Sequence, residues 1–153
     1  MGDTQITELT GRHWLIGQLL QAKLEVATPA RDKHIDLIAY SVRPFVARPI
    51  QVKAATAESF SVQKKYKKVP NLLLAYVWHI KDPRETRTYA MTYREAVGIA
   101  TKMGWTKTPS WKKEKGWYTN NKPGRELCRL LEKYKMSPVA WRKKVVSSPP
   151  SVK

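Results

Sequence analysis

Asp36, Gln51 and Lys53 stand in two neighbouring apolar runs, "IDLIAYS" and "RPIQVKAA", where a strand interior would ordinarily carry no polar side chain. Alternate side chains of a strand share a face, so Asp36 opposes Ile35 and Leu37, while Gln51 and Lys53 share one face and oppose Ile50 and Val52. If the two runs pair, a carboxylate, an amide oxygen and an amine meet at one end of a sheet. That set has the chemistry for phosphodiester hydrolysis. The oxygens of Asp36 and Gln51 can hold Mg²⁺ or Mn²⁺, water filling the rest of its shell, and Lys53 can orient or activate a water and offset charge in the transition state. Polar residues at the rim of a sheet would look the same in sequence, and that reading stands beside the chemical one.

Charge narrows the partners. The 153 residues carry 29 Lys+Arg against 12 Asp+Glu, a formal net charge of +17. Such an excess opposes compaction by self-repulsion and is relieved when a polyanion neutralises it, which makes nucleic acid the expected partner. The excess is uneven: residues 1–78 hold 11 basic and 6 acidic side chains, residues 79–153 hold 18 and 6. Two segments concentrate it. "KKYKK" places Lys64, Lys65, Lys67 and Lys68 within five residues, and "WKKEKGWY" interleaves Trp111, Lys112, Lys113, Lys115, Trp117 and Tyr118. Lysines there can contact phosphates, and Trp117 can stack on an unpaired base, unless the tryptophans serve to pin their loop to the core.

No apolar run approaches the roughly 20 residues of a membrane span, and a lone cysteine, Cys128, excludes an internal disulfide. With an N-terminus, MGDTQITEL, that lacks a secretory pattern, a soluble cytoplasmic protein without a membrane partner is expected.

The elements that must position these residues can be read from periodicity. An amphipathic helix is expected over 10–24, with Leu15, Leu19 and Ala22 inward. "LEVATPA" reads as a short strand. The two polar-marked runs then form an antiparallel hairpin about Arg43-Pro44, and 56–70 reads as a polar connection. "NLLLAYVWHI" is apolar enough for a strand buried on both faces, "TRTYAMTY" alternates as a last strand, and Thr92 with Glu95 forms a capping box for a helix ending at Gly104. Residues 105–121 show no period and read as a structured loop or insertion. Two further helices follow, "GRELCRLLEKYKM" and "SPVAWRKKVV", the second with Ser137 as cap and Pro138 in its first position. A nuclease-like core over 1–104, a basic, aromatic helical extension over 105–145 and a disordered tail over 146–153 are the expected divisions.

The order helix, strand, strand, strand, with "Ile-Asp-Leu-Ile" followed by "Ile-Gln-Val-Lys", resembles the PD-(D/E)XK nuclease superfamily across residues 10–100. The resemblance implies an α/β, restriction-endonuclease-like fold: a mixed central sheet flanked by helices, here with a C-terminal helical extension. It implies that Asp36 is the metal-ligand aspartate, that Gln51 stands at the acidic position of the E-x-K tripeptide as a second ligand, that Lys53 is the catalytic lysine, and that Mg²⁺ or Mn²⁺ is the cofactor. Gln51 departs from the commoner glutamate and is similar to a D…Q-x-K variant in which an amide oxygen replaces a carboxylate oxygen. The first helix departs too, offering Leu15 where relatives often present a glutamate, with Glu8, His13 and Gln18 nearby.

The functions that follow are cleavage of DNA, or DNA binding by the same fold without cleavage; a basic RNA-associated protein is the remaining alternative. A double-strand cutter with one site per chain needs two copies, so a homodimer is also expected. Cys128 falls on the apolar side of a helix as a small core residue, and the three histidines lack metal-ligand spacing.

Overall fold

The computed structural model describes residues 3–146; the expected disordered tail lies outside them but for Val146. The chain runs α1 (Asp3–Gln21), β1 (Glu25–Ala27), β2 (Leu37–Val42), β3 (Phe45–Ala54), β4 (Phe60–Gln63), β5 (Leu73–Trp78), β6 (Arg87–Thr92), α2 (Tyr93–Lys102), α3 (Pro109–Lys112), β7 (Trp117–Asn120), α4 (Arg125–Leu131) and α5 (Pro138–Val146). Five strands make a mixed sheet in the order β1-β2-β3-β5-β6, in which only β3 and β5 are parallel, while β4 and β7 pair separately as a two-stranded antiparallel sheet.

The main sheet separates two cores of different character. On one face Leu15 and Leu19 of α1 and Trp141 and Val145 of α5 pack on Leu37, Ile50, Leu73 and Ala75. The other face is aromatic: Phe60, Tyr66, Tyr76, Trp78, Tyr89, Trp105 and Trp111 meet beneath α2 and α4. Residues beyond 104 contribute to both cores. Every residue of β5 is buried, as its unbroken apolar run requires of a strand covered on both sides. Its larger rings also satisfy their polar atoms locally, Tyr76 Oη donating to the Ser61 carbonyl at 2.6 Å and Trp78 Nε1 to the Ser59 carbonyl at 2.7 Å, which ties the small sheet to the large one.

Three expectations need correction. The first helix begins at Asp3, seven residues before Thr10, because Thr10 does not cap: its hydroxyl donates to the Ile6 carbonyl one turn back, at 2.7 Å. It ends at Gln21, three residues short of Leu24. Lys23 is left-handed (φ 61°), and the bonds Lys23 N to Leu20 O and Leu24 N to Leu19 O close a Schellman turn. The polar connection 56–70 contains β4 and a 3₁₀ turn over Lys64–Lys68, Phe60 and Val62 facing the aromatic core while Ser61 and Gln63 alternate outward. Elsewhere the capping box at Thr92 and Glu95 is formed, and the Ser137 hydroxyl accepts from Ala140 N at 3.2 Å.

Candidate active site and nucleic-acid interface

The site grows out of a register limit. β2 and β3 are paired from Leu37 with Ile50 to Val42 with Phe45, so β3 runs four residues past the start of β2, and Gln51–Ala54 pair only with β5. Asp36, the residue just before β2, continues the ladder without being in it. Its backbone N–H donates to the Ile50 carbonyl at 2.8 Å and its Oδ2 accepts from Val52 N at 2.8 Å. The other oxygen, Oδ1, faces Arg12 Nη2 at 3.3 Å.

Asp36, Gln51 and Lys53 thereby line one cavity of about 290 Å³, closed on its far side by Glu8 and Arg12 of α1, with Asp32, Ser59 and Ser61 completing the wall. Gly11 lets α1 lie so close: a Cβ there would collide with that of Ala54. Extending the helix to Asp3 is what carries Glu8 to the rim, so a helix carboxylate does reach the pocket, whereas His13 and Gln18 do not. His13 is exposed, and Gln18 accepts from the Trp141 indole N–H at 2.7 Å. Sequence reasoning missed Arg12, for which the i,i+4 spacing from Glu8 was the available signal.

The electrostatics of the pocket are unbalanced. Gln51 Oε1 is buried and has no hydrogen-bond partner among the described residues, and Arg12 Nε is in the same condition. A buried amide oxygen without a donor costs roughly 1–3 kcal/mol, so it fits a site completed by a cation or by water. Burial pushes the Lys53 amine below its ordinary value and the charge of Lys65 lowers it further, while Asp36 and Glu8 pull the other way. Lys53 Nζ rests 4.8 Å from the centre of the Tyr66 ring, and Lys65 Nζ lies 5.3 Å from it. The Tyr66 phenol is itself raised to about 12, chiefly by burial and then by the charges of Asp36 and Asp32, so the ring serves as a neutral platform for two cations. Asp36 and Gln51 supply two hard oxygens suited to a divalent ion; no group of three or more His, Cys, Asp or Glu side chains among the described residues is placed to hold a metal by itself.

The basic segments divide. Lys65, Lys67 and Lys68 are exposed on the 3₁₀ turn, whereas Lys64 donates to the Lys113 carbonyl at 3.2 Å and covers the Trp111 ring at 5.2 Å. A groove of about 500 Å³ runs between Lys64, Lys65 and Lys68 on one side and Lys115, Gly116 and Trp117 on the other. Trp117 is 52% exposed. Trp111 is buried and Tyr118 stacks on Trp105 with centroids 4.2 Å apart, so these aromatics pin the segment while Trp117 alone of the set faces outward. Lys112 and Lys113 are exposed at the end of α3, outside the groove lining. Cys128 is half-buried against the aromatic core. No helix among the described residues is long and apolar enough to cross a membrane. Compared with known family models, curated proteins and solved structures, the chain matches none.

Proposed function

We propose that this protein is a metal-dependent endonuclease of the restriction-endonuclease-like fold that hydrolyses phosphodiesters in DNA. The observation that carries the reading is the single cavity in which Asp36, Gln51 and Lys53 converge, with the Gln51 amide oxygen buried and unpartnered. A Mg²⁺ or Mn²⁺ ion held by Asp36 Oδ1 and Gln51 Oε1 would polarise the phosphate and acidify a bound water. Arg12 pairs with Asp36 at 3.3 Å, and with a cation held there its guanidinium would be free to meet a phosphate oxygen. Lys53, already eased toward the neutral amine by burial, takes a proton from water or offsets charge on the phosphorane-like transition state. The exposed lysines of the 64–68 turn and Trp117 extend the footprint along the strand being bound.

The rival reading is the same fold binding DNA without cutting it. It is favoured by one feature: Gln51 is neutral where a carboxylate would hold the ion more tightly. Cleavage of plasmid and branched DNA, with and without Mg²⁺ or Mn²⁺, separates the two. Metal-dependent nicking that disappears in Lys53→Ala, with DNA binding retained, supports the enzyme. Wild-type protein inert on every substrate, with no heat of metal binding by calorimetry, leaves the binding protein.

A further inference from the structure

Helix α1 is apolar on two sides. Gly11, Leu15 and Leu19 are buried against the sheet, whereas Ile6, Leu9, His13, Ile16 and Leu20 recur at spacings of three, four, three and four along a second, largely exposed stripe, of which Ile16 also packs on the edge of the core beneath α1. Ile6, Leu9 and Leu20 are 49%, 39% and 52% exposed, and they make up three of the seven large exposed hydrophobic residues on the described surface. Ile16 is half-buried and His13 exposed. Alternating spacings of three and four are those of a helix seam that meets another helix. A two-heptad seam would not hold an isolated helix pair, but α1 is already folded onto its own sheet, so no helix-forming cost remains.

Charge selects the occupant. Lysine and arginine make up 29 of the 153 residues, yet α1 carries a single one, Arg12, which lines the cavity of Asp36 and Gln51. On a chain of net charge +17, α1 itself opposes a second copy of the same chain with little repulsion and offers a polyanion little to bind, its cationic neighbours Lys23, Arg142 and Lys143 lying at its C-terminal end. We infer that α1 pairs antiparallel with α1 of a second copy, in an isologous dimer. Antiparallel pairing sets Ile6 against Leu20 of the other copy, Leu9 against Ile16, and His13 against itself at the two-fold axis. It opposes the helix dipoles and brings Asp3, in the first turn, toward Lys23 just beyond the last. Arg12, roughly a quarter turn round the helix from the seam, keeps its place in the cavity of each copy.

The test uses the full chain and is independent of any nuclease activity. Sedimentation equilibrium at moderate salt, which screens the repulsion between copies, is expected to show a dimer. The double variant Leu9→Glu/Leu20→Glu is expected to sediment as a monomer with an unchanged circular dichroism spectrum and melting curve. Should it not fold, His13→Cys in a Cys128→Ser background gives the second readout: mild oxidation is expected to cross-link it to a covalent dimer, and Thr7→Cys in the same background is expected not to. A wild-type monomer up to its solubility limit overturns the inference. So does a dimer that survives the double variant, or a His13→Cys protein that does not cross-link.

Discussion

From Phe45 to Pro49 β3 is paired with β2 alone, from Gln51 to Ala54 with β5 alone, and only Ile50 is paired with both. The strand therefore has two unpartnered stretches of edge, on opposite sides, and they are closed differently. The Ile50 carbonyl and Val52 N–H point to the β2 side, so the alternate residue Pro49 turns to the other, where a residue without an N–H leaves no donor unsatisfied. Beside it the buried Arg48 donates to the Asn71 and Lys144 carbonyls at 3.1 and 3.3 Å. At the other end the Asp36 carboxylate takes Val52 N–H with one oxygen and keeps the second for Arg12. One free edge is closed by a proline and by a guanidinium committed to backbone carbonyls, and the other by a carboxylate with capacity to spare. That spare capacity, together with the open Gln51 oxygen, distinguishes a site from a seam.

Substitutions can break this contrast. Arg48→Ala at the sealed edge should cost about 2–3 kcal/mol, because a buried guanidinium side chain is lost and two part-buried carbonyls are deprived of a charged donor, with the heat of metal binding unchanged; urea unfolding and calorimetry read both. At the open edge Asp36→Asn keeps an oxygen for Val52 N–H and should change stability by less than about 1 kcal/mol. It should also weaken Mn²⁺ binding by more than the about 10–100-fold typical of removing an outer-shell partner. If the two variants proved alike in stability and in metal binding, the distinction between the edges would be lost.

Lys53 sharpens the comparison through pH. Its native pKa lies below the 10.5 of the unfolded chain, chiefly through burial, so the folded state holds the proton less tightly than the unfolded chain, and folding is penalised wherever the unfolded amine is protonated. As pH rises through the native value the folded amine discharges first and stability grows, until above 10.5 both states are neutral and the cost is gone. Lys53→Met should therefore melt higher than wild type at neutral pH, with the gap narrowing as pH climbs toward 10.5. Thermal melts across that range check it; a gap that widened would reverse the sign.

The smallest effect concerns the 64–68 turn. Replacing Lys65, Lys67 and Lys68 by glutamate should reduce the salt dependence of duplex DNA binding by about 0.9 in logarithmic slope for each phosphate that is no longer neutralised. Lys64, committed to the Lys113 carbonyl and the Trp111 ring, belongs with the sealed groups, and its replacement should show in stability instead.

Much of this was legible in one dimension wherever a local rule governs. Alternation located β6, the exposed-apolar contrast was absent from β5 because both its faces are buried, and Thr92 with Glu95 announced a helix start through bonds made within one turn. Asp36, Gln51 and Lys53 were visible as polar residues in the wrong company. What could not be read was anything depending on residues far apart. The four-residue strand β4 exists because β7, more than fifty residues later, pairs with it. The first turns of α1, from Asp3 to Leu9, were not read as helix, and the Thr10 hydroxyl bonds back into that unread stretch, to the Ile6 carbonyl.

The sequence by itself determined the charge, the types of the longer elements and the candidate triad, because composition, period and spacing are local properties, whereas β4, α3 and β7 were not read from it. The tertiary structure alone decided that β3 outruns β2 by four residues, that Gly11 admits α1 against Ala54 so that Glu8 and Arg12 wall the cavity, and that Trp117 faces outward while Trp111 does not. Each of these rests on packing between segments tens of residues apart, whose register is settled only when the two cores form at once.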